Sequence, residues 1–157
     1  MTREIHDSRH VPSARTTYGQ ARRSKGRQED NVKVKGFSHV AIRVSDLSRS
    51  ARFYEDLLDL KRIIDLPDVI VLLHAGGTML GIRGATSEQR TGDRFDPFRI
   101  GLDHLALAVE RGQLVEMKRQ LDERAIRNNG VEKDTVTGAD HVTFYDPDGI
   151  AWELYAL

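Results

Sequence analysis

Two stretches of the chain alternate apolar and polar residues in the same way. Residues 36–44 read GFSHVAIRV and residues 101–109 read GLDHLALAV, and the two align without gaps. The identical positions are Gly36/Gly101, His39/His104, Ala41/Ala106 and Val44/Val109. Alternation over this length is typical of a half-buried strand. The sequence therefore predicts two copies of one module, each opening with a strand.

Each opening strand is followed by a segment with the period of an amphipathic helix. The first helix is predicted to begin after Asp46, a residue type that caps helix N-termini, and the second at about Arg111. Their predicted apolar faces are Leu47, Ala51, Tyr54 and Leu58 in the first helix and Leu114, Met117, Leu121 and Ala125 in the second. Both segments alternate with strands, which favours a sheet covered by helices.

Three short strands are predicted to close each module. They are KRIIDL, VIVLL and TMLGIR in the first copy, and VEKDTV, HVTFY and IAWELY in the second, with turns at AGG, NNG and DPDG. The predicted fold is α+β, with the order β-α-β-β-β twice, a variant of the βαββ type. Module one spans 36–84, a polar linker 85–100, and module two 101–157. Side by side they should form a curved mixed sheet, with helices on its convex face and a pocket on its concave face.

Alternation also predicts which side chains enter the pocket. Val40, Ile42 and Val44 form the apolar side of the first strand, so His39 and Arg43 must point the other way. The same argument places these residues on the pocket side: Ala41, Arg83, His104, Ala106, Ala108, His141, Thr143, Tyr145, Ala151, Glu153 and Tyr155. An apolar wall is expected from Val69, Val71 and Leu73.

Two imidazoles and one carboxylate are thereby predicted to share the concave surface. His39, His104 and Glu153 form an open ligand set of the kind that holds catalytic Fe, Mn, Zn, Ni or Co. The two histidines occupy equivalent places in a repeat, which argues against independent structural roles. A buried carboxylate without a partner is costly, and a cation removes that cost. One divalent metal ion is therefore predicted.

Composition narrows the class of protein. Lys plus Arg and Asp plus Glu number 24 each, so no overall field attracts nucleic acid, and no cysteine is present. No apolar run approaches the roughly 20 residues of a membrane span, which favours a cytoplasmic protein. Residues 1–35 carry nine Lys or Arg against four Asp or Glu without apolar periodicity. They are predicted to be a flexible basic leader, with a nucleic-acid arm or a transit-like peptide as alternatives.

The opening FSHVAIRVSDLSRSARFYEDLL and the ending FYDPDGIAWELY resemble the vicinal oxygen chelate superfamily. This group includes glyoxalase I, extradiol dioxygenases, fosfomycin-resistance thiol transferases and bleomycin-binding proteins. The resemblance covers 36–157 and implies paired modules, one divalent metal, a small-molecule substrate and a homodimer. Glyoxalase I would imply a second glutamate where this chain has Gly81, opposite Glu153. That departure disfavours glyoxalase and epimerase chemistry.

The resemblance leaves several functions open. One is a metal-dependent enzyme that chelates vicinal oxygens, with extradiol-dioxygenase-like or thiol-transferase/lyase-like chemistry. Its catalytic candidates are His141, Tyr145 and Tyr155, and its substrate-binding candidates are Arg43, Arg83 and Thr143. Alternatively, Thr143 and Tyr145 only line the sheet and the arginines reach solvent. The competing classes are a metal-free binding protein of the bleomycin-resistance type and a ligand-sensing module.

Overall fold

The strands and helices follow the predicted order of two modules. The computed structural model describes residues 32–90 and 92–157. The flexible leader predicted for 1–35 falls almost wholly outside the described residues and stays a prediction. None of the helices in the described ranges has the length and apolar character that crossing a bilayer requires.

Both modules contain the five predicted elements. Module one consists of β1 His39–Val44, α1 Leu47–Leu58, β2 Lys61–Leu66, β3 Ile70–Ala75 and β4 Thr78–Gly84. A short helix, α2 Ser87–Arg90, lies in the linker. Module two consists of β5 Leu105–Val109, α3 Gln113–Glu123, β6 Asn128–Lys133, β7 Asp140–Tyr145 and β8 Ala151–Ala156. The NNG segment predicted as a turn lies inside β6, where Asn128 already pairs with Phe144.

Local side-chain chemistry sets the helix ends. The Asp46 carboxylate accepts the backbone N–H of Arg49 at 2.9 Å, which confirms the predicted N-cap of α1. Helix α3 has no side-chain cap at its N-terminus and ends at Glu123, and Ala125, just after the C-cap residue Arg124, has φ +52°. The prediction that Ala125 continues the apolar face of the second helix is therefore wrong. Ala125 is exposed, and Ile126 packs against the core in its place.

Each module forms its own four-stranded mixed sheet. The strand orders are β1-β4-β3-β2 and β5-β8-β7-β6, with β1/β4 and β5/β8 parallel and the other pairs antiparallel. This arrangement confirms the predicted fold class. Among the described strands the two sheets are not joined, and β1 and β5 each lie at an edge of their sheet. An edge strand presents backbone N–H and C=O groups that a further strand could pair with.

The helix-facing sides of the strands form the core. Alternation predicted this correctly for β1, where Ile42 and Val44 are buried and Ala41 is exposed. The phase predicted for β3 is wrong. Val71 and Leu73 are buried in the core instead of forming a pocket wall, and Leu72 lies beside Gly81 on the opposite face. A nearly continuous apolar run such as VIVLL carries no alternation from which the face can be read.

Module one packs against the helix-facing side of the second sheet. The Tyr54 ring of α1 lies 5.1 Å from the Trp152 ring, and the Phe53 ring lies 6.3 Å from that of Phe144. The indole N–H of Trp152 donates to the Tyr54 hydroxyl at 3.0 Å. Phe144 and Trp152 alternate along β7 and β8 with Thr143 and Glu153, so the side chains of Thr143 and Glu153 face the other way. The modules are thus packed back to back through α1.

The DPDG turn between β7 and β8 fastens the two modules. The buried Asp146 carboxylate accepts the Tyr54 hydroxyl at 2.6 Å and the backbone N–H groups of Asp148 and Ile150 at 2.9 and 2.8 Å. Burial raises the pKa of Asp146, and burial beside this carboxylate raises the pKa of Tyr54. Asp148 in turn accepts the Ser45 backbone N–H at 3.0 Å. The DPDG segment therefore links module two to module one as well as forming the turn between β7 and β8.

Candidate functional site

The open face of the second sheet carries a partly buried carboxylate at its centre. Strand pairing places Glu153 between Ala106 of β5 and Thr143 of β7. The Glu153 side chain is 14% exposed, and the Thr143 hydroxyl donates to its Oε1 at 3.4 Å. Glu153 Oε2 is buried, and no group in the described part of the chain donates a hydrogen bond to it. Such an atom is costly unless a proton or a cation lies against it.

His104 faces that unsatisfied oxygen. Its Nε2 lies 3.3 Å from Glu153 Oε2, and its Nδ1 lies 2.6 Å from a carboxylate oxygen of Asp103. An ionised carboxylate only accepts, so Nδ1 must carry the proton that it donates to Asp103. In a neutral ring this leaves the Nε2 lone pair pointing towards Glu153. Two acceptors then face each other, and either a second proton on His104 or a metal ion would resolve the conflict.

His39 does not lie with these two residues. It is exposed at the start of β1 on the first sheet, and the Ser38 hydroxyl lies 3.4 Å from its Nδ1. Within 32–90 and 92–157, no group of three or more His, Asp or Glu side chains is placed to hold a metal ion. One chain therefore brings together two of the three predicted ligands, His104 and Glu153, and leaves the third apart.

His141 and Tyr155 lie beside the carboxylate on the same face. His141 Nε2 is 4.0 Å from Glu153 Oε1, and its Nδ1 is buried with no hydrogen-bond partner among the described residues. The two rings stack with centroids 5.0 Å apart at 13°. The Tyr155 hydroxyl donates to Asp134 at 2.6 Å. This hydrogen bond raises the pKa of Tyr155 to about 12, so the phenol keeps its proton at neutral pH, and it lowers the pKa of Asp134.

We expect Tyr155→Phe to raise the pKa of Asp134 towards the ordinary value of 3.8, because the largest stabiliser of its ionised form is removed. Asp134 has a depressed folded-state pKa, so its contribution to stability is present above the unfolded-state pKa and is lost as the pH falls through the folded-state pKa. The variant should lose less stability on acidification. Carboxyl carbon NMR titration measures the shift, with Tyr145→Phe as the control. An unchanged Asp134 pKa in Tyr155→Phe would contradict this assignment.

The remaining candidates are engaged with other groups. Tyr145 is half-buried, and the Arg127 guanidinium lies 3.9 Å above its ring, a cation–π contact. Arg43 and Arg83 are paired across β1 and β4 and are both exposed. Arg43 donates to the Gly84 carbonyl at 3.0 Å and to the Gln89 side chain at 3.2 Å. The structure thus groups Thr143, His141 and Tyr155 with the carboxylate and places the two arginines on the other module.

The position equivalent to Glu153 in module one is Gly81. Ala41 pairs with Gly81 in the first sheet as Ala106 pairs with Glu153 in the second, which supports the alignment made from the sequence. A Cβ atom built on Gly81 would lie 3.2 Å from a methyl carbon of Leu72. That contact is tight, so Leu72 would have to shift by a few tenths of an ångström to admit a side chain at this position. The first sheet therefore presents an apolar surface where the second presents a ligand.

Three residues at the site were not singled out from the sequence. Asp103 directly precedes His104, and an Asp-His pair at the start of a strand is a signal that could have been used. Asp134 is 21 residues from the tyrosine that it holds, and no local pattern announces such a contact. Leu72 belongs to the apolar run whose phase was misjudged. Contacts between distant segments are thus the ones that sequence periodicity misses.

Comparison with known proteins identifies the class to which this fold and site belong. The family model for the Glyoxalase/Bleomycin resistance protein/Dioxygenase superfamily matches residues 36–154. The chain belongs to this superfamily, which confirms the resemblance to vicinal oxygen chelate proteins.

Individual relatives are more distant. Metallothiol transferase FosB of Staphylococcus saprophyticus is 27% identical over 122 residues, which cover 78% of this chain and 77% of that protein. The uncharacterized protein YwkD of Bacillus subtilis is 28% identical over 128 residues, covering 78% and 97%. Among solved structures, a glyoxylase/bleomycin resistance protein/dioxygenase domain from Frankia sp. EAN1pec superposes with a TM-score of 0.67 at 29% identity, covering 79% and 98%.

Proposed function

We propose that this protein is a divalent-metal-dependent enzyme whose metal is held by His104 and Glu153 of one chain and by His39 of a second copy. The back-to-back packing of the modules carries the proposal. Because α1 lies against the Trp152 side of the second sheet, module one sits on the face opposite Glu153. Its own histidine is therefore on the wrong side to complete the site.

The donor set fits a divalent cation. Glu153 Oε2 is buried without a donor among residues 32–90 and 92–157, and His104 presents Nε2 to it at 3.3 Å. The Asp103 carboxylate orients the imidazole, an arrangement common behind metal-bound histidines. One imidazole and one carboxylate leave a cation under-coordinated, so a further protein ligand is expected. Fe, Mn, Zn, Ni or Co would suit two histidines and a glutamate.

A second copy has a surface on which to bind. The edge strands β1 and β5 begin at or next to the exposed His39 and His104, so an edge-to-edge arrangement of two chains would bring these residues together. Exposed apolar residues on β2 extend the open face of the first sheet, with Ile64 43% and Leu66 52% exposed. A two-fold dimer would build two identical sites, each from module one of one chain and module two of the other.

The residues around Glu153 support chemistry on oxygen atoms of a small molecule. A metal bound here would supply Lewis-acid polarisation of substrate oxygens. Thr143 and Asp103 orient the two ligands of module two. His141 Nε2, 4.0 Å from Glu153 Oε1, can exchange a proton with a substrate oxygen held beside that carboxylate. Arg83 would bind an anionic part of the substrate from module one.

Transfer of a thiol to the metal-polarised substrate, by thiolate attack on it, is the reaction class that we favour. The name metallothiol transferase, carried by the 27% identical relative, supports it. Gly81 and Leu72 disfavour reactions that need a second carboxylate base at the metal. Dioxygenation, and lyase chemistry that does without a second carboxylate base, are the alternatives within the same proposal. A cytoplasmic location also belongs to it.

Metal content tests the site. Protein purified without chelator or affinity tag should hold about one divalent metal ion per chain, measured by elemental mass spectrometry. Glu153→Ala and His104→Ala should lose nearly all of it while remaining folded by circular dichroism. Glu110→Ala, which removes an exposed carboxylate just after β5, should keep it. If the wild-type protein binds no metal even on reconstitution, the enzyme proposal falls and a metal-free binding module replaces it.

A further inference from the structure

A cleft of about 550 Å³ lies beside the linker, away from Glu153. Its walls come from β1, from the linker around α2 and from the turn between β7 and β8. This volume is within the range of small-molecule sites. The proposed metal ligands His104 and Glu153 are not among the residues that line this cleft. The lining residues come from both modules and from the linker. The cleft is therefore a feature separate from the carboxylate site.

Three arginines line this cleft: Arg43, Arg90 and Arg94. Neutral oxygens hold all three, since Arg43 donates to Gly84 and Gln89, Arg90 to the Ala85 carbonyl at 2.9 Å and Arg94 to the Asp93 carbonyl at 2.6 Å. Across the described ranges, none of the three forms an ion pair with a carboxylate. Each guanidinium has five N–H donors, so most of this hydrogen-bonding capacity stays available to a ligand.

Local structure fixes the position of Arg43. Thr86 and Gln89 cap α2 reciprocally, with the Thr86 backbone N–H donating to the Gln89 side chain at 3.0 Å and the Gln89 backbone N–H to the Thr86 hydroxyl at 3.3 Å. The same Gln89 oxygen accepts from Arg43 at 3.2 Å. A guanidinium held in place loses less side-chain entropy when an anion binds.

Acidic residues of the cleft do not cancel this charge. Asp148 already accepts from the Ser45 backbone and from Arg49, whose Nη2 lies 3.3 Å from its Oδ1. Asp93 contributes one exposed carboxylate. Beneath the charged rim the floor is apolar, with Phe95 half-buried, Ile150 buried and Leu102 43% exposed. The cleft thus combines unpaired cationic donors with an aromatic and aliphatic floor.

We propose that this cleft is a second binding site, which takes an organic anion: a phosphate, phosphonate or carboxylate group carried on an apolar body. The anionic group would be bound by Arg43, Arg90 and Arg94 in place of water, and the apolar body would lie on Phe95 and Leu102. Binding requires no metal and no second copy, so it stands apart from the enzyme proposal.

Phenyl phosphate is the probe that tests this site, in buffer containing EDTA so that no metal can bind it. Isothermal titration should show it binding about tenfold more tightly than inorganic phosphate, because the ring removes apolar surface from water. Binding should weaken as sodium chloride is raised. Arg94→Gln and Arg90→Gln should each weaken it roughly five- to tenfold, since each removes a charge-assisted hydrogen bond.

Arg99→Gln is the matched control, because Arg99 is an exposed arginine of the same linker that does not line the cleft. It should bind phenyl phosphate as the wild type does, and so should His104→Ala. Equal affinities in wild type, Arg90→Gln and Arg94→Gln would overturn the proposal. An equal loss in Arg99→Gln would also overturn it, because the attraction would then be general charge. Loss of binding in His104→Ala would assign the anion to the carboxylate site instead.

Discussion

Heterodimers that combine one His39→Ala chain with one Glu153→Ala chain should hold metal, although each variant alone should hold almost none. In a site shared between two chains, one pocket of this heterodimer combines both substitutions and the other combines neither. The heterodimer should therefore contain about half the wild-type metal, or one ion per two chains. Co-expression with two different affinity tags isolates it, the tags are then cleaved off, and elemental mass spectrometry measures the ion.

The reciprocal pairing is the control. A heterodimer of wild type with the double variant His39→Ala/Glu153→Ala carries the same two substitutions, now on one chain. If the site is shared, each of its pockets lacks one ligand and the metal should be lost. If each chain built its own site, this pairing would keep half the metal and the first pairing would keep none. The two arrangements thus give opposite results from the same set of substitutions.

Asp146→Ala should destabilise the folded protein by about 3–5 kcal/mol, a large part of the stability of an ordinary domain. Asp146 is 6% exposed and accepts three hydrogen bonds, from the Tyr54 hydroxyl and from two backbone N–H groups of its own turn. Alanine removes the acceptor and leaves these donors buried. Urea unfolding followed by tryptophan fluorescence measures the loss, since Trp152 reports on the same cluster.

Two variants separate this effect from general turn chemistry. Asp134→Ala also removes a turn carboxylate that accepts several hydrogen bonds, but this residue is only half-buried, so the loss should be smaller. Tyr54→Phe keeps the ring packing on Trp152 and removes one donor, so its effect should fall between the two. If Asp146→Ala unfolded at the same urea concentration as the wild type, the fastening role of the DPDG turn would be refuted.

The repeated module could be predicted because its signals are local. Period-two alternation placed Ile42 and Val44 in the core and Thr143 and Glu153 on the open face, and Asp46 marked the start of α1. The equivalence of Gly81 with Glu153 followed from the repeat alone and agrees with the strand register. Patterns of this kind depend only on neighbouring residues and on the geometry of strands and helices.

The relation between the modules could not be predicted in the same way. It depends on α1 packing its aromatic residues on Trp152 and Phe144, and such a contact between distant segments has no period in the sequence. The expectation that His39 joins His104 and Glu153 named three residues without saying which copy supplies each. The assignment of these three residues to one ligand set remains a prediction, and a single chain brings together only His104 and Glu153 of the three.

The two copies of the module differ in chemistry because the first has Gly81, packed against Leu72, where the second has Glu153. If the two modules were identical, both sides of the proposed pocket would offer a ligand. Such a pocket could not distinguish one end of a bound molecule from the other. Here one wall carries the row Ala106, Glu153 and Thr143, and its counterpart carries Ala41, Gly81 and Leu72. In the proposed dimer, a small molecule bound between these two surfaces would meet a carboxylate on one side and apolar side chains on the other. Orientation is then built into the scaffold by the loss of a single side chain.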